Sequence, residues 1–300
     1  MTLVEKVPGE VTAASSMAAR VIPAVRKLAR SPLLLTIVSV VVAVVYLFPV
    51  YWMIATSLKT SASLFRYPPQ LLPDPLYLGA YIEVVFNSPS TVRALGNSAV
   101  IAIGTMTLTL LLAAPAAYAL ARLRLRYTAW IVLLMLVAQM LPTVNISLPL
   151  FAIFSQLSLV NTYVGLILAN TGLTIPLAIV ILRPYFLTVP EALVDAALLD
   201  GCNRWTAFTR VVLPTTRTGL ISAGTIVFFT AWGEFVFALS LATREEMQPV
   251  SVTLSRYIGD FGTQWNNLMA ISTVLALPII LAFIALQRFV VGGLTGEVDK

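Results

Sequence analysis

From Tyr127 to Leu182 the chain runs for 56 residues without one charged side chain. Hydrocarbon leaves no water to satisfy backbone N–H and C=O groups, so such a run folds as helices; at about 20 residues per crossing it spans a bilayer twice. Ser155, Gln156, Ser158, Asn161 and Thr162 supply the turn between the two spans. The whole chain agrees: of 300 residues 59% are apolar and 11% charged, too few polar groups to cover a surface facing water.

Four further spans complete an all-α membrane protein of six transmembrane helices. The uncharged segment Leu33–Leu58 is far longer than a signal-peptide core and reads as a retained first span. Ala94–Ala121 is the second, Thr218–Ala242, which contains Glu234, the fifth, and the sixth lies within Phe261–Gln287. With the N-terminus in the cytoplasm, fourteen Lys and Arg fall inside and five outside, and the even number of spans returns the C-terminus to the cytoplasm. The net charge of +6 is thus explained by topology, with no nucleic-acid partner.

The layout expected is a cytoplasmic tail over 1–32, the first helix over 33–58, an extracytoplasmic connection over 59–93, a five-helix core over 94–291 with a cytoplasmic loop at 183–217, and a cytoplasmic tail over 292–300. Pro68, Pro69, Pro73 and Pro75 make the first half of the outer connection extended, and Leu78–Phe86 is a short surface helix. Prolines at 49, 115, 142, 149, 176 and 278 lie in or near the ends of spans. Each removes a helical hydrogen bond, and broken helices suit the lining of a pathway better than a passive anchor.

The 183–217 loop is too patterned for a tether. Pro190 suits a helix start, with Glu191 in the electropositive first turn; Asp200-Gly201 signals a turn; Trp205, Phe208, Val211 and Val212 then recur at helical spacing. The reading is helix, sharp corner, second helix, with Ala196 and Ala197 small enough for close packing and Gly201 free to take a backbone angle that a Cβ penalises.

Asp195-Ala196-Ala197, Gly201, Val211 and Leu213-Pro214 resemble the Glu-Ala-Ala loop of permeases from ATP-driven (ABC) importers, with Asp in place of the first Glu and Cys202 where Ala is usual. Phe48-Pro49-Val50-Tyr51-Trp52, Asn97-Ser98, Tyr118-Ala119-Leu120-Ala121-Arg122, Leu159-Val160-Asn161-Thr162, Trp232-Gly233-Glu234-Phe235 and the stretch from Gln287 to Leu294 are similar to binding-protein-dependent carbohydrate importers, in the MalG-like second permease. The resemblance implies an ABC type I importer permease fold in the cell membrane. It implies a second permease subunit, an ATPase subunit dimer that binds ATP and Mg, and an extracytoplasmic solute-binding protein meeting 59–93 and 243–260. This chain would then hold no cofactor and no metal. Coupling to the ATPase falls to Glu191, Asp195, Ala196, Ala197, Asp200, Gly201, Leu213 and Pro214. The family's usual neutral or basic ending is replaced by Gly296-Glu297-Val298-Asp299-Lys300.

A phosphate-binding Gly-x-x-x-x-Gly-Lys-Ser/Thr loop is absent from the sequence, as are histidines, and Cys202 is the one cysteine. The parts of an intramembrane enzyme are therefore missing, and no catalytic residue is assigned. Glu234 is the sole acid inside a span, and an ion-coupled secondary transporter centred on it is the competing reading. For the solute pathway the candidates are Asn97, Gln139, Asn145, Trp232 and Glu234: hydrogen-bonding groups and an aromatic face for a sugar-like solute, each with helix packing as its structural alternative.

Overall fold

The computed structural model describes residues 32–123, 126–259 and 262–295. The tails at 1–31 and 296–300, with the acidic ending, and Arg124 of the basic cluster lie outside them. The chain divides into two units, one ending at Ala55 and one beginning at Thr56. The first contains nearly all of helix α1, Pro32–Ser57, whose Pro49 lies inside the helix.

In the second unit the outer connection begins with a helical turn at Ser61–Leu64 that the proline-rich sequence does not foretell, then runs irregularly to Leu78. Lys59 is buried and its Nζ donates to the Gln70 carbonyl at 2.5 Å; desolvation lowers the pKa of its ammonium. The expected short helix follows as Gly79–Tyr81, continuing in π register over Ile82–Phe86.

Helix α2, Pro89–Arg122, starts with proline at its first position, where a missing N–H costs nothing. Helices α3, Thr128–Ala138, and α4, Thr143–Gln156, follow. The turn at 157–162 carries left-handed backbone at Ser158 and Asn161 and leads into α5, Tyr163–Thr188. Thr162 caps α5 by accepting from the Gly165 amide at 3.0 Å.

After α5 come α6, Glu191–Leu199, α7, Arg204–Thr215, α8, Arg217–Trp232, and α9, Val236–Leu241. Helix α10, Val250–Ser255, an antiparallel two-residue pair β1, Ile258–Gly259, with β2, Gly262–Thr263, and α11, Trp265–Thr295, complete the chain. Four helices, α1, α2, α5 and α11, are long and apolar enough to cross a membrane; counting each of two bent helix pairs as one span brings the number to six.

Two expected spans are not single rods. The third is α3 and α4, bent by 92° across 140–142, where Pro142 offers no N–H to continue the helix. The fifth stops at Trp232, and its expected second half is the separate helix α9.

The core of the second unit is α2 and α5 with α8 packed against both. Side-chain pairs Asn97–Tyr163, Thr109–Thr174 and Arg183–Leu120 keep sequence separations of 66, 65 and 63, so α2 and α5 run parallel in nearly constant register. Ala113, Ala114 and Ala117 of α2, Ala178 of α5 and Ala223 of α8 are buried together, and such small residues let helix backbones approach closely without a hydrophobic drive from lipid.

Candidate functional site

The loop between α5 and α8 is anchored on one face and bare on the other. At its start Glu191 stands 3.7 Å from Arg122 at the end of α2, a partly exposed pair worth little on its own. At the end of α6 the Gly201 amide donates to the Leu198 carbonyl at 3.1 Å and the Cys202 amide to Ala197 at 3.0 Å. Those two bonds define a Schellman cap, and Gly201 fills its left-handed position with φ +87°. A Cβ at 201 would meet no atom within 4 Å, so the glycine is needed for backbone angle and not for space.

Asn203 then caps α7, its side chain accepting from the Thr206 amide at 2.8 Å. Helix α7 shifts into π register over Phe208–Val212. Phe208 and Val212 are buried against Leu182, Phe186 and Val189, and the Phe208 ring lies 5.0 Å from that of Tyr118 on α2. Ala197 is buried and Leu213 half-buried, while Ala196, Asp195, Asp200 and Pro214 are exposed. Leu199 is 89% exposed and Trp205 63% exposed, so the corner presents large apolar side chains outward.

Four of the five pathway candidates are engaged in hydrogen bonds within the chain. Asn97 is buried and saturated: its amide donates to the carbonyls of Glu246 and Gln248 at 2.9 and 3.0 Å, and its oxygen accepts from Tyr163 at 2.7 Å. Trp232 is buried against Phe228 and donates to the Leu275 carbonyl at 3.2 Å. Gln139, at the end of α3, donates to Leu173 at 2.7 Å and ties the bend to α5. Asn145 is exposed on α4.

Glu234 sits in the break between α8 and α9, where its two carboxylate oxygens accept from the amides of Phe237 and Ala238 at 2.8 and 3.0 Å. The negative charge thus meets the electropositive start of α9. The Glu234 carbonyl in turn accepts from Ser251 at 2.8 Å, fixing the break to α10.

Residues 110–295 match the family described as binding-protein-dependent transport system inner membrane component. The chain belongs to this family. Relatives cover almost the same length: the sulfoquinovosyl glycerol transport system permease protein SmoH of Agrobacterium fabrum is 36% identical over 83% of this chain and 87% of its own. The trehalose/maltose transport system permease protein MalG of Thermococcus litoralis is 32% identical over 89% of this chain and 96% of its own.

Among solved structures, a bacterial ABC transporter involved in the import of the acidic polysaccharide alginate superposes with a TM-score of 0.72, covering 86% of this chain and 97% of that one at 20% identity. The inward-facing MetNI methionine ABC transporter superposes at 0.53, covering 67% and 95% at 18% identity. These two likenesses concern the fold. As a binding-protein-dependent inner membrane component, the chain is a multi-pass permease subunit, and the family assignment supports import over an ion-coupled carrier built on Glu234.

The permease carries further ordering residues in and beside its turns. Asn161 accepts from the Arg244 amide at 2.8 Å and donates to Thr243 at 2.8 Å, stitching the α4–α5 turn to the segment after α9. Ser98 accepts from the Val250 amide at 3.0 Å, one position beyond Asn97. Asn203, three residues before Thr206, is a capping signal visible in the sequence; the partners of Asn97 and Asn161 lie from 66 to 151 positions away and leave no local trace.

Proposed function

We propose that this permease is paired with a second permease subunit and driven by a dimer of ATPase subunits, and that it imports a sugar or related polyol handed over by an extracytoplasmic solute-binding protein. ATP and Mg belong to the ATPase. The 190–214 loop is the coupling element, with Glu191, Asp195, Ala196, Ala197, Asp200, Gly201, Leu213 and Pro214 forming its start, corner and exit. The sugar class rests on relatives whose names specify sugar-containing solutes. The N- and C-termini and the coupling loop share the cytoplasmic side, a reading that the Lys and Arg distribution supports.

One observation carries the coupling role. The loop's inner face is locked to α2 and α5 through Phe208 and Val212, while Leu199 and Trp205 stand exposed on its outer face. A rigid mount with an apolar tip outside the membrane fits a partner's groove. Glu234 serves to orient α9, and Asn145 is the pathway candidate that faces outward with its amide accessible.

The test is extraction of the tagged chain from its native membrane in mild detergent, beside a deletion of Asp195–Gly201. Recovery of an ATPase and a second permease with the intact chain, and loss of the ATPase alone on deletion, supports the reading. An ATPase still held by the deletion variant places coupling elsewhere; recovery of the chain without any ATPase overturns the reading and returns Glu234 to the centre.

A further inference from the structure

A cavity of 450 Å³ opens between α2, α8 and α11, walled by Met106 and Leu110 of α2, Ile221, Gly224 and Phe228 of α8, and Leu286 of α11. Thr225 also borders it, but its hydroxyl donates to the Ile221 carbonyl at 2.7 Å. A hydroxylated solute would leave its own groups unpaired there, so the cavity suits hydrocarbon.

The residues that α8 contributes, Leu220 and Ile221, Gly224 and Thr225, and Phe228, return once per turn and form one stripe. One turn back toward the coupling loop, the same stripe reaches Arg217, which is exposed and has neither an ion pair nor a side-chain hydrogen bond among the described residues. From Arg217 to Phe228 the helix rises about 16 Å, close to the hydrocarbon depth of one leaflet, roughly 15 Å. The stripe therefore places a guanidinium at headgroup depth and an apolar slot beneath it.

We propose that this slot binds an anionic diacyl phospholipid from the leaflet on the coupling-loop side, its phosphate on Arg217 and one acyl chain between α2, α8 and α11. The guanidinium fork matches phosphate oxygens and gives the charge preference. Gly224 forms the floor: a Cβ there would lie 3.1 Å from Leu110 Cδ1 and 3.6 Å from Met106 Sδ, so a larger side chain at 224 occupies the slot.

The complex with which the chain purifies would be placed in nanodiscs of phosphatidylcholine with 30% phosphatidylglycerol, re-extracted, and its retained lipid measured by mass spectrometry. Wild type should keep phosphatidylglycerol in excess over its share of the disc; Arg217→Gln, at an exposed site that leaves packing untouched, should lower that excess about fivefold. Gly224→Leu should lose retained lipid of either headgroup. A photo-crosslinking residue at Ile103, on the cavity's rim, should attach to lipid. Equal retention of both lipids in wild type, an unchanged excess in Arg217→Gln, or a crosslink at Ile103 to a protein subunit would each overturn the proposal, the last even if Gly224→Leu does not fold.

Discussion

At the scale of single residues, Gly201 and Glu234 show how two conspicuous positions earn their identity by different physics. Gly201 has open space around it and a backbone at φ +87°, so the cost of replacing it is conformational. Asn, which tolerates this region, should preserve uptake at 201, whereas Val should cost about 1–2 kcal/mol at the corner and lower the ratio of solute imported to ATP hydrolysed in reconstituted vesicles. Equal coupling in both variants would refute a role for the corner. Glu234→Gln keeps one acceptor for the start of α9 and should lower thermal stability by only about 1 kcal/mol with uptake maintained. If Glu234→Gln folds normally but abolishes uptake, the carboxylate has a transport role that its two backbone bonds do not reveal.

At the scale of elements, the helix–corner–helix of the 190–214 loop was legible because its signals are local: Pro190 and Glu191 open α6, Asp200-Gly201 ends it, and the apolar spacing from Trp205 resumes a helix. The spans were legible as apolar length. The bend across 140–142 was legible in Pro142, but the stop at Trp232 was not, because hydropathy does not register that Glu234 receives the amides of α9. Asn97 and Trp232 hold partners far along the chain, which the sequence around them does not mark. The turn before α5 offers a clean test of close packing, since a Cβ on Gly165 would stand 2.2 Å from the Leu159 carbonyl oxygen while one on Gly172 of the same helix would touch nothing within 4 Å. Gly165→Ala should therefore destabilise the detergent-solubilised protein by about 1–3 kcal/mol, read as a lower melting temperature, and Gly172→Ala should not. Equal melting temperatures would show that the turn can yield.

At the scale of the whole molecule, Cys202 serves as a built-in reporter because it is the one cysteine in the chain and lies half-buried at the corner after α6. A membrane-impermeant maleimide should label it in inside-out vesicles stripped of peripheral subunits and leave it unlabelled in intact spheroplasts; the reverse pattern would invert the topology. The long helix α2 ties the two sides of this arrangement together. Near its start Asn97 and Ser98 hold the loop at 246–250, at its end Arg122 meets Glu191, and Thr109, bonded to Thr174 at 2.8 Å, lies halfway between. Asn97 and Arg122 are about 38 Å apart along the helix. A rod pivoted at Thr109 works as a seesaw: a tilt of about 10° would swing each end by roughly 3 Å in opposite directions, so a push at Glu191 would arrive reversed in sign at the 246–250 loop.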